Sequence, residues 1–573
     1  FILFSYIFQN LSTPMLFLST YLIPYLLILF LFLELIQYFI TTCIFFKYII
    51  INNAFLNYNY TDIGKIEIEK FDQIGVTMGD TIRIEPKLNI DIPANASNIV
   101  YKWTLNDEAR PDDPNWNGRN FYWIADQKIT NGIIKLEIID TEHDMKYMQR
   151  TNCSVMGEFN ASNSWIILSD DNGRAVLSFF KTLDLEYGAD LNSVAIKSSK
   201  FYADLYPSRN GGKELGQGPL RMQEHYHLQG SDPGNIWIFS ENGTIDLEGE
   251  GLTKSIDLDE TFYGGIPVGI TIQGGISMWN LDVMYDQEGR LYSRVKSTNE
   301  LFHSDYFLPE PIIYKGEVLE QCETILGRYT STTGRYTPII DRKNHRILAI
   351  MDGDMYNFGL GAGEIVECPG EISEVAGYEI PDKYVPLNNF EGYEILSMQY
   401  ILLPGASTWD SYPGFMILFK DEAGNLLLQE FALEQYTDIE TGTYLKVSRV
   451  KVYDMNVLGE SPSLVCTPPQ PASTNYTFFA LDNTLYYFDR DAKRLAPYVK
   501  FESPITALDA ESNKKNMFMA VGLENGKFYM LDITTAKNTP EDKRIIASSP
   551  EGTNVGKIIQ VRIKIGAGQS YWM

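Results

Sequence analysis

The pattern of apolar and polar positions changes abruptly at one place. Residues 1–53 are almost wholly apolar and carry two formal charges, Glu34 and Lys47, whereas apolar and polar residues alternate from Tyr60 onward. Ile66 and Ile68 alternate with Lys65, Glu67 and Glu69; Ile82 and Ile84 with Arg83 and Glu85; Ile134, Leu136 and Ile138 with Lys135 and Glu137. A period of two predicts half-buried strands, because successive side chains of a strand point to opposite faces. Turn formers separate the runs at Gly75, Met78-Gly79-Asp80, Pro86, Pro93, Pro111–Pro114 and Asn131-Gly132. About seven short strands over residues 56–157 predict an Ig-like β-sandwich, with Trp103 in its core.

Beyond Phe159 one unit recurs: an apolar strand, a polar turn, another strand. Trp165-Ile166-Ile167-Leu168 turns at Asp171-Asn172-Gly173, and Ile236-Trp237-Ile238-Phe239 at Asn242-Gly243. The unit returns around Glu288-Gly289, Lys343-Asn344, Gly424-Asn425, Asp482-Asn483 and Asn525-Gly526. Asn-Gly between apolar runs signals a hairpin, because both central residues take positive φ. Seven such turns with almost no amphipathic helix between them predict a β-propeller of about seven blades over residues 158–573. A pair of β-sandwiches is the alternative. The expected fold is therefore all-β, a sandwich followed by a propeller, behind a hydrophobic leader at residues 1–55.

The leader reads as a membrane-spanning helix or an uncleaved signal anchor, since the apolar run from Met15 to Phe46, interrupted by Pro24 and Glu34, is long enough to span a bilayer. It lacks the basic start and small-residue end of a cleaved signal. Residues 1–53 also contain no Gly, Ala, Val, Asp, Arg, Trp or His, which membrane helices would not avoid together. The second expectation is thus a misassigned gene start in place of a short export signal. Residues 60–573 alternate too often to cross a bilayer as helices, so the body is expected to be soluble without the leader.

Charge narrows the partners. The chain holds 47 basic and 74 acidic residues, a formal net charge of −27, and such a field repels phosphate backbones, so no nucleic-acid partner is expected. Cys43, Cys153, Cys322, Cys368 and Cys466 show no zinc-type spacing, and the last four are expected to be free, buried thiols.

Several motifs together resemble a known group. Asn57, Tyr58, Tyr60 and Ile63, the Gly79-Asp80-Thr81 turn, Tyr101 and Trp103, and Leu136, Ile138 and Asp140 are similar to the start of PKD-like lipoproteins. Trp165-Ile166-Ile167-Leu168 with Asp171 and Gly173 fits the same pattern. The resemblance implies an outer-membrane lipoprotein, surface-exposed or periplasm-facing, that helps capture glycans or other nutrients beside SusC/SusD-type transporter components. It also implies a lipid-bearing Cys just before Asn57, where this chain has Asn52-Asn53-Ala54-Phe55; Cys43 lies upstream after Ile40-Thr41-Thr42, a poor lipobox.

Candidate chemistry is sparse. Trp116, in Asp112-Asp113-Pro114-Asn115-Trp116-Asn117-Gly118, is a candidate for an exposed loop where its ring would stack on a ligand; the favoured reading is a cap on the sandwich end. The loop Gly405–Gly414 places Trp409, Asp410 and Tyr412 together, a flat aromatic face with hydroxyl-binding acceptors, as sugar recognition requires; the alternative, slightly favoured, is a loop-tip Trp tucked onto a neighbouring blade. His225 and His227 would share one strand face as half of a metal site, but no third ligand is identifiable, so no metal is assigned. Asp352-Gly353-Asp354 and Ser169-Asp170-Asp171-Asn172 are oxygen-rich turns able to hold a structural calcium, though without EF-hand spacing; they read as solvated turns. Ser169, Asp171 and Gly173 half-match the Asp-box of sialidase-like propellers but lack its Thr-Trp and do not recur. No nucleophile elbow, phosphate loop or zincin motif is present. The expected function is non-catalytic glycan or nutrient binding, ahead of a propeller-type glycoside hydrolase or lyase and of an adhesive surface protein.

Overall fold

The computed structural model describes residues 31–44, 47, 66–89, 96–160, 164–187, 194–225, 234–296, 305–325, 336–353, 361–373, 379–404, 411–438, 442–468, 475–512 and 517–564. The fold is all-β. Residues 31–44 form a helix with exposed apolar side chains, and among the described residues no helix is long and apolar enough to cross a membrane. Two compact units emerge: residues 1–70, 86–102 and 136–149 form one, and residues 71–85, 103–135 and 150–573 the other.

Seven strands occupy residues 74–156. One sheet has the order Ile74–Thr77, Met145–Met156, Ile129–Asp140, Ile99–Leu105, Glu108–Ala109, and a second pairs Thr81–Ile84 with Phe121–Ile124. The alternation is realised directly: Ile82, Ile84, Ile134, Leu136 and Ile138 are buried while their strand neighbours face outward. Trp103 lies in the core as expected, its indole N–H donating to Gly118 O at 3.0 Å and its ring 5.1 Å from Phe121.

Among the described residues of 164–564, seven antiparallel sheets of three or more strands follow one another, and Ile313–Tyr314 pairs with Glu317–Val318 in a separate two-stranded ribbon. The first joins Ser164–Asp171, Arg174–Tyr187 and Val194–Tyr202 to the C-terminal strand Lys557–Lys564, which pairs with Ser164–Asp171. The second runs from Gln217–His225 through Asn235–Asn242 and Ile245–Leu247 to Lys254–Asp257, and its ladder joins that of the first through the register pair Gln217 and Arg174. The third has three strands, starting at Ile272–Ser277. The fourth to seventh have four each and start at Cys322–Thr324, Tyr393–Pro404, Leu464–Cys466 and Ile505–Ser512.

All seven predicted turns occupy one position in this repeat. Counting the C-terminal strand as the first of its sheet, each turn joins the second strand to the third. Positive φ recurs there, at Asn172 and Gly173, Gly243, Gly289, His345, Gly424, Asp482 and Gly526. Left-handed backbone of this kind matches the twist of a two-stranded ribbon.

Apolar clusters cover the faces between consecutive sheets. Ile166 and Leu177 pack with Ile236 and Ile238; Trp237 with Met284; Val283 with Ile339, Phe415 and Ile417; Met416 with Phe479; Phe478 with Val521. One further cluster brings Phe518 and Phe528 of the seventh sheet against Trp165 and Ile558 of the first. The packing therefore runs in a cycle. Gly522 is needed at that contact, since a Cβ there would lie 2.3 Å from Ile558 Cγ2.

Four cysteines, Cys153, Cys322, Cys368 and Cys466, are buried free thiols, and Cys43 is exposed. Burial pushes the Cys153 thiol up to about 11 and Cys322 up to about 12.

Candidate ligand-binding cavity

Five strands, one from each of five sheets, converge on one cavity of about 260 Å³: Gln217–His225, Tyr393–Pro404, Leu464–Cys466, Ile505–Ser512 and Lys557–Lys564. Two strands each bring a continuous run of residues to the wall. In the strand beginning at Ile505 the run is 506–510, from Thr506 to Ala510. In the C-terminal strand it is 559–562, from Ile559 to Arg562, beside a register shift between Ile558 and Gln560, while Ile558 and Ile563 are buried off the wall. The polar lining includes Arg221, Gln399, Thr467, Thr506, Asp509, Gln560 and Arg562, with Thr467 Oγ1 bonded to Thr477 at 3.1 Å, among walls from Leu220, Tyr400, Val465, Leu508 and Ile559.

Most of these polar groups tie one sheet to another. Gln560 Oε1 accepts from the Met222 N–H at 2.6 Å. Gln399 Oε1 accepts from the Thr467 N–H at 2.8 Å, and the Gln399 amide donates to Val465 O. The Thr506 hydroxyl donates to Ile558 O, and Asp509 Oδ2 accepts from the Ile563 N–H at 3.0 Å. A buried backbone group left unsatisfied costs on the order of 1–3 kcal/mol, so these side chains replace ladder bonds that strand ends cannot make with each other. Arg562 donates to Gln223 Oε1 at 3.2 Å and lies 3.9 Å from Asp509. Arg221 donates to the Tyr285 hydroxyl and lies 3.9 Å from Glu323.

Arg221 also borders a second, wider recess of about 580 Å³, lined by Tyr285, Asp286, Glu288, Glu323 and Arg342. Burial raises the Tyr285 phenol against the opposing pull of the Arg221 charge, so the hydroxyl stays protonated beside the guanidinium.

A separate charged cluster is enclosed between the third and fourth sheets. Arg294 Nη2 donates to Asp282 Oδ2 at 2.6 Å, and Lys296 Nζ lies 3.2 Å from Asp282 Oδ1 and donates to Ser277 Oγ at 2.9 Å. Asp352 accepts from the backbone N–H groups of Trp279 and Asn280 at 3.0 and 2.8 Å. All four charged side chains are buried and none lines the cavity, so they hold strands together.

The sequence-predicted residues fall elsewhere. Trp116 is 1% exposed, which overturns its candidacy as an exposed, ligand-stacking ring. The reason is local: Pro114–Trp116 forms a 3-10 turn, with Asp113 Oδ1 accepting from the Asn115 N–H at 2.9 Å. Asn117 Nδ2 donates to the carbonyls of Arg110, Pro111 and Asp113, which folds the loop back. The ring packs edge-on against Phe121 and Trp123, beneath the Arg110 guanidinium at 4.7 Å. Trp409 and Asp410 lie outside the described residues; Tyr412 is on the Ser411–Asp421 strand, with its side chain outside them.

His225 is a core residue, its Nε2 2.8 Å from Asp246 Oδ2 and its ring stacked 4.2 Å from Trp237, while His227 lies outside the described residues. Asp352 is buried, not in a solvated turn. In the other oxygen-rich turn Asp170 accepts from the Gly173 N–H at 2.6 Å and Asp171 pairs with Arg174 at 3.1 Å. Among the described residues no cluster of three or more His, Cys, Asp or Glu is placed to hold a metal. Sequence reasoning missed Arg221, Asp509 and Arg562, whose only signal is a polar position on a predicted strand.

The sequence profile of the PKD-like family matches residues 56–219. No curated protein matches the chain. Among solved structures, the chain is similar to the dihydro-heme d1 dehydrogenase NirN, at 10% identity and a TM-score of 0.33, over 75% of this chain and 73% of that one. It is also similar to a chain of the complex of Kap60 with yeast RCC1, at 11% identity and a TM-score of 0.31, over 70% and 89%. BBS1N, in complex with ARL6DN, gives 8% identity and a TM-score of 0.30, over 59% and 87%. At scores this low the likenesses carry neither fold nor function to this chain.

Proposed function

We propose that this chain is a non-catalytic binding protein in which a PKD-like sandwich precedes a seven-bladed β-propeller, and that it captures a small polar nutrient, a glycan by preference, at the propeller's centre. The observation that carries the reading is the convergence of strands from five sheets on one cavity with mixed apolar and polar walls. The cyclic packing of seven sheets, with the C-terminal strand completing the first, supports the propeller. Small-molecule sites combine apolar walls with a few oriented polar groups, and this cavity, at about 260 Å³, lies just below their usual range of about 300–1,000 Å³, a size for a small ligand.

In this reading the protein is a lipoprotein-type component displayed at the outer membrane beside SusC/SusD-type transporter components, with its N-terminal region as anchor. The profile match to the PKD-like family supports the type of N-terminal domain. Glycan-array binding by the full chain, with product analysis of every bound glycan, tests the function. Binding without turnover is the expected result. Cleavage of a bound glycan would replace the reading with a propeller-type hydrolase or lyase, and an empty array would sink glycan capture. Protease shaving of intact cells tests display.

A further inference from the structure

We infer that the central cavity selects a sugar bearing an oxyanion, a carboxylate or a sulfate, and grips it with Arg221 backed by Arg562. The inference rests on the capture reading above and names its ligand class. The polar side chains on the wall differ in what they already hold. Gln399, Thr506, Gln560 and Asp509 each hold a backbone group in bonds that also tie strands together. They are committed to architecture. A guanidinium presents five N–H donors in a planar fork, carries its charge at every accessible pH, and matches an oxyanion with two parallel bonds. Among the described residues the Arg221 guanidinium makes one hydrogen bond, to the neutral Tyr285 hydroxyl, and its pair with Glu323 is long at 3.9 Å. Its side chain is 23% exposed, enough for a ligand to reach it.

Charge points the same way. The chain as a whole is at −27, yet the charged side chains lining this cavity are two arginines and one aspartate. Asp509 accepts from the backbone N–H groups of Ala510 and Ile563, both at 3.0 Å, and lies 3.9 Å from Arg562, which leaves Arg221 as the main source of positive charge on the wall. The carboxylates of Asp286, Glu288 and Glu323 border the neighbouring recess and not this one. A locally cationic wall inside an acidic protein is an anion filter. The negative surface slows the approach of an anion at low salt, but at physiological ionic strength it is screened beyond about 8 Å, while contacts inside the cavity are not.

The test is calorimetric titration of the full chain with three probes: glucuronate, glucose 6-sulfate and glucose. At least one anionic sugar should bind about tenfold or more tightly than glucose, a difference of about 1.4 kcal/mol. Which of the two anions wins separates carboxylate from sulfate. Arg221→Met should abolish the anion's advantage while leaving the melting temperature of the chain within a few degrees, and Arg221→Lys should retain part of it. If Arg221→Met fails to fold, the salt dependence of the unaltered protein decides: the anion's advantage should shrink as salt is raised. Equal binding of all three sugars, or an advantage that persists in folded Arg221→Met or ignores salt, overturns the assignment and leaves the capture reading standing. No binding by any of the three also overturns it, and the capture reading is then judged by the glycan array alone.

Discussion

Two aspartates of one buried cluster are driven in opposite directions by what surrounds them. For Asp352 burial dominates and raises it to about 7, against the opposing N–H groups of Asn280 and Trp279 and the Lys296 charge. For Asp282 burial also pushes upward, but Lys296, Arg294 and His225 outweigh it and hold the carboxyl at about 2. The signs of their linkage to pH differ accordingly. Asp282 contributes stability above its unfolded value of 3.8 that is lost as pH falls through about 2. Asp352 binds its proton more tightly in the folded state, so its contribution is full below 3.8 and is lost as pH rises through about 7. The melting temperature should therefore decline between about pH 4 and pH 7, and Asp352→Asn should flatten that decline. A variant with the parent's slope would show that Asp352 does not set it. Trp116 gives a second prediction at this scale. Its ring fills the sandwich between Phe121, Trp123 and Arg110, so Trp116→Ala should lower unfolding free energy by about 3–5 kcal/mol, read by urea titration. An exposed ligand-stacking ring would cost almost nothing there.

At the scale of elements, the C-terminal strand has a role out of proportion to its length. Lys557–Lys564 pairs with Ser164–Asp171 across nearly four hundred residues of chain, and supplies Gln560, Arg562 and Lys564 to contacts with the second sheet. Ending the chain after Gly556 should expose the edge of the first sheet and uncover Ile558's neighbours Trp165 and Phe518. The expected outcome is loss of the cooperative melt, partly restored by adding a peptide of residues 557–564; an unchanged melt would mean the sheets do not depend on this closure. The same strand marks the limit of what the sequence discloses. The seven turns were legible because positive φ is a local demand that Asn and Gly meet, and the strands because alternation is local too. Trp103 was legible as core. The cavity was not, because Gln560 meets Met222, and Arg562 meets Gln223, only after the whole series of sheets has formed. The exposed reading of Trp116 fails because the turn formers that flank it fold the loop inward through Asn117 in place of extending it into solvent. The three-stranded third sheet and the buried charges under it had no period to announce them.

For the molecule as a whole, the excess of 74 acidic over 47 basic residues sets its dealings with other polyions. The cations present are partly neutralised in place, as in Lys135 with Asp107 at 2.6 Å, Lys315 with Glu367 at 3.0 Å, Lys383 with Asp454 at 2.9 Å and Lys557 with Glu524 at 3.2 Å. Exposed pairs of this kind add little to stability, about 0–1 kcal/mol each, but they remove isolated positive charge from the surface. Binding to a duplex draws on the release of counterions by several unpaired basic groups acting together, and nonspecific affinity from that source reaches only about 10⁻⁴–10⁻⁶ M even in proteins with a basic face. Here the net field opposes it. Arg221 and Arg562 do not change this, because they line a cavity of about 260 Å³ that no duplex enters. Fluorescence anisotropy with a labelled duplex at physiological salt should give no binding, and lowering the salt should not reveal any, since repulsion strengthens as screening weakens. A micromolar affinity, or one that rises as salt is removed, would mean that a basic surface exists and that the −27 average conceals it.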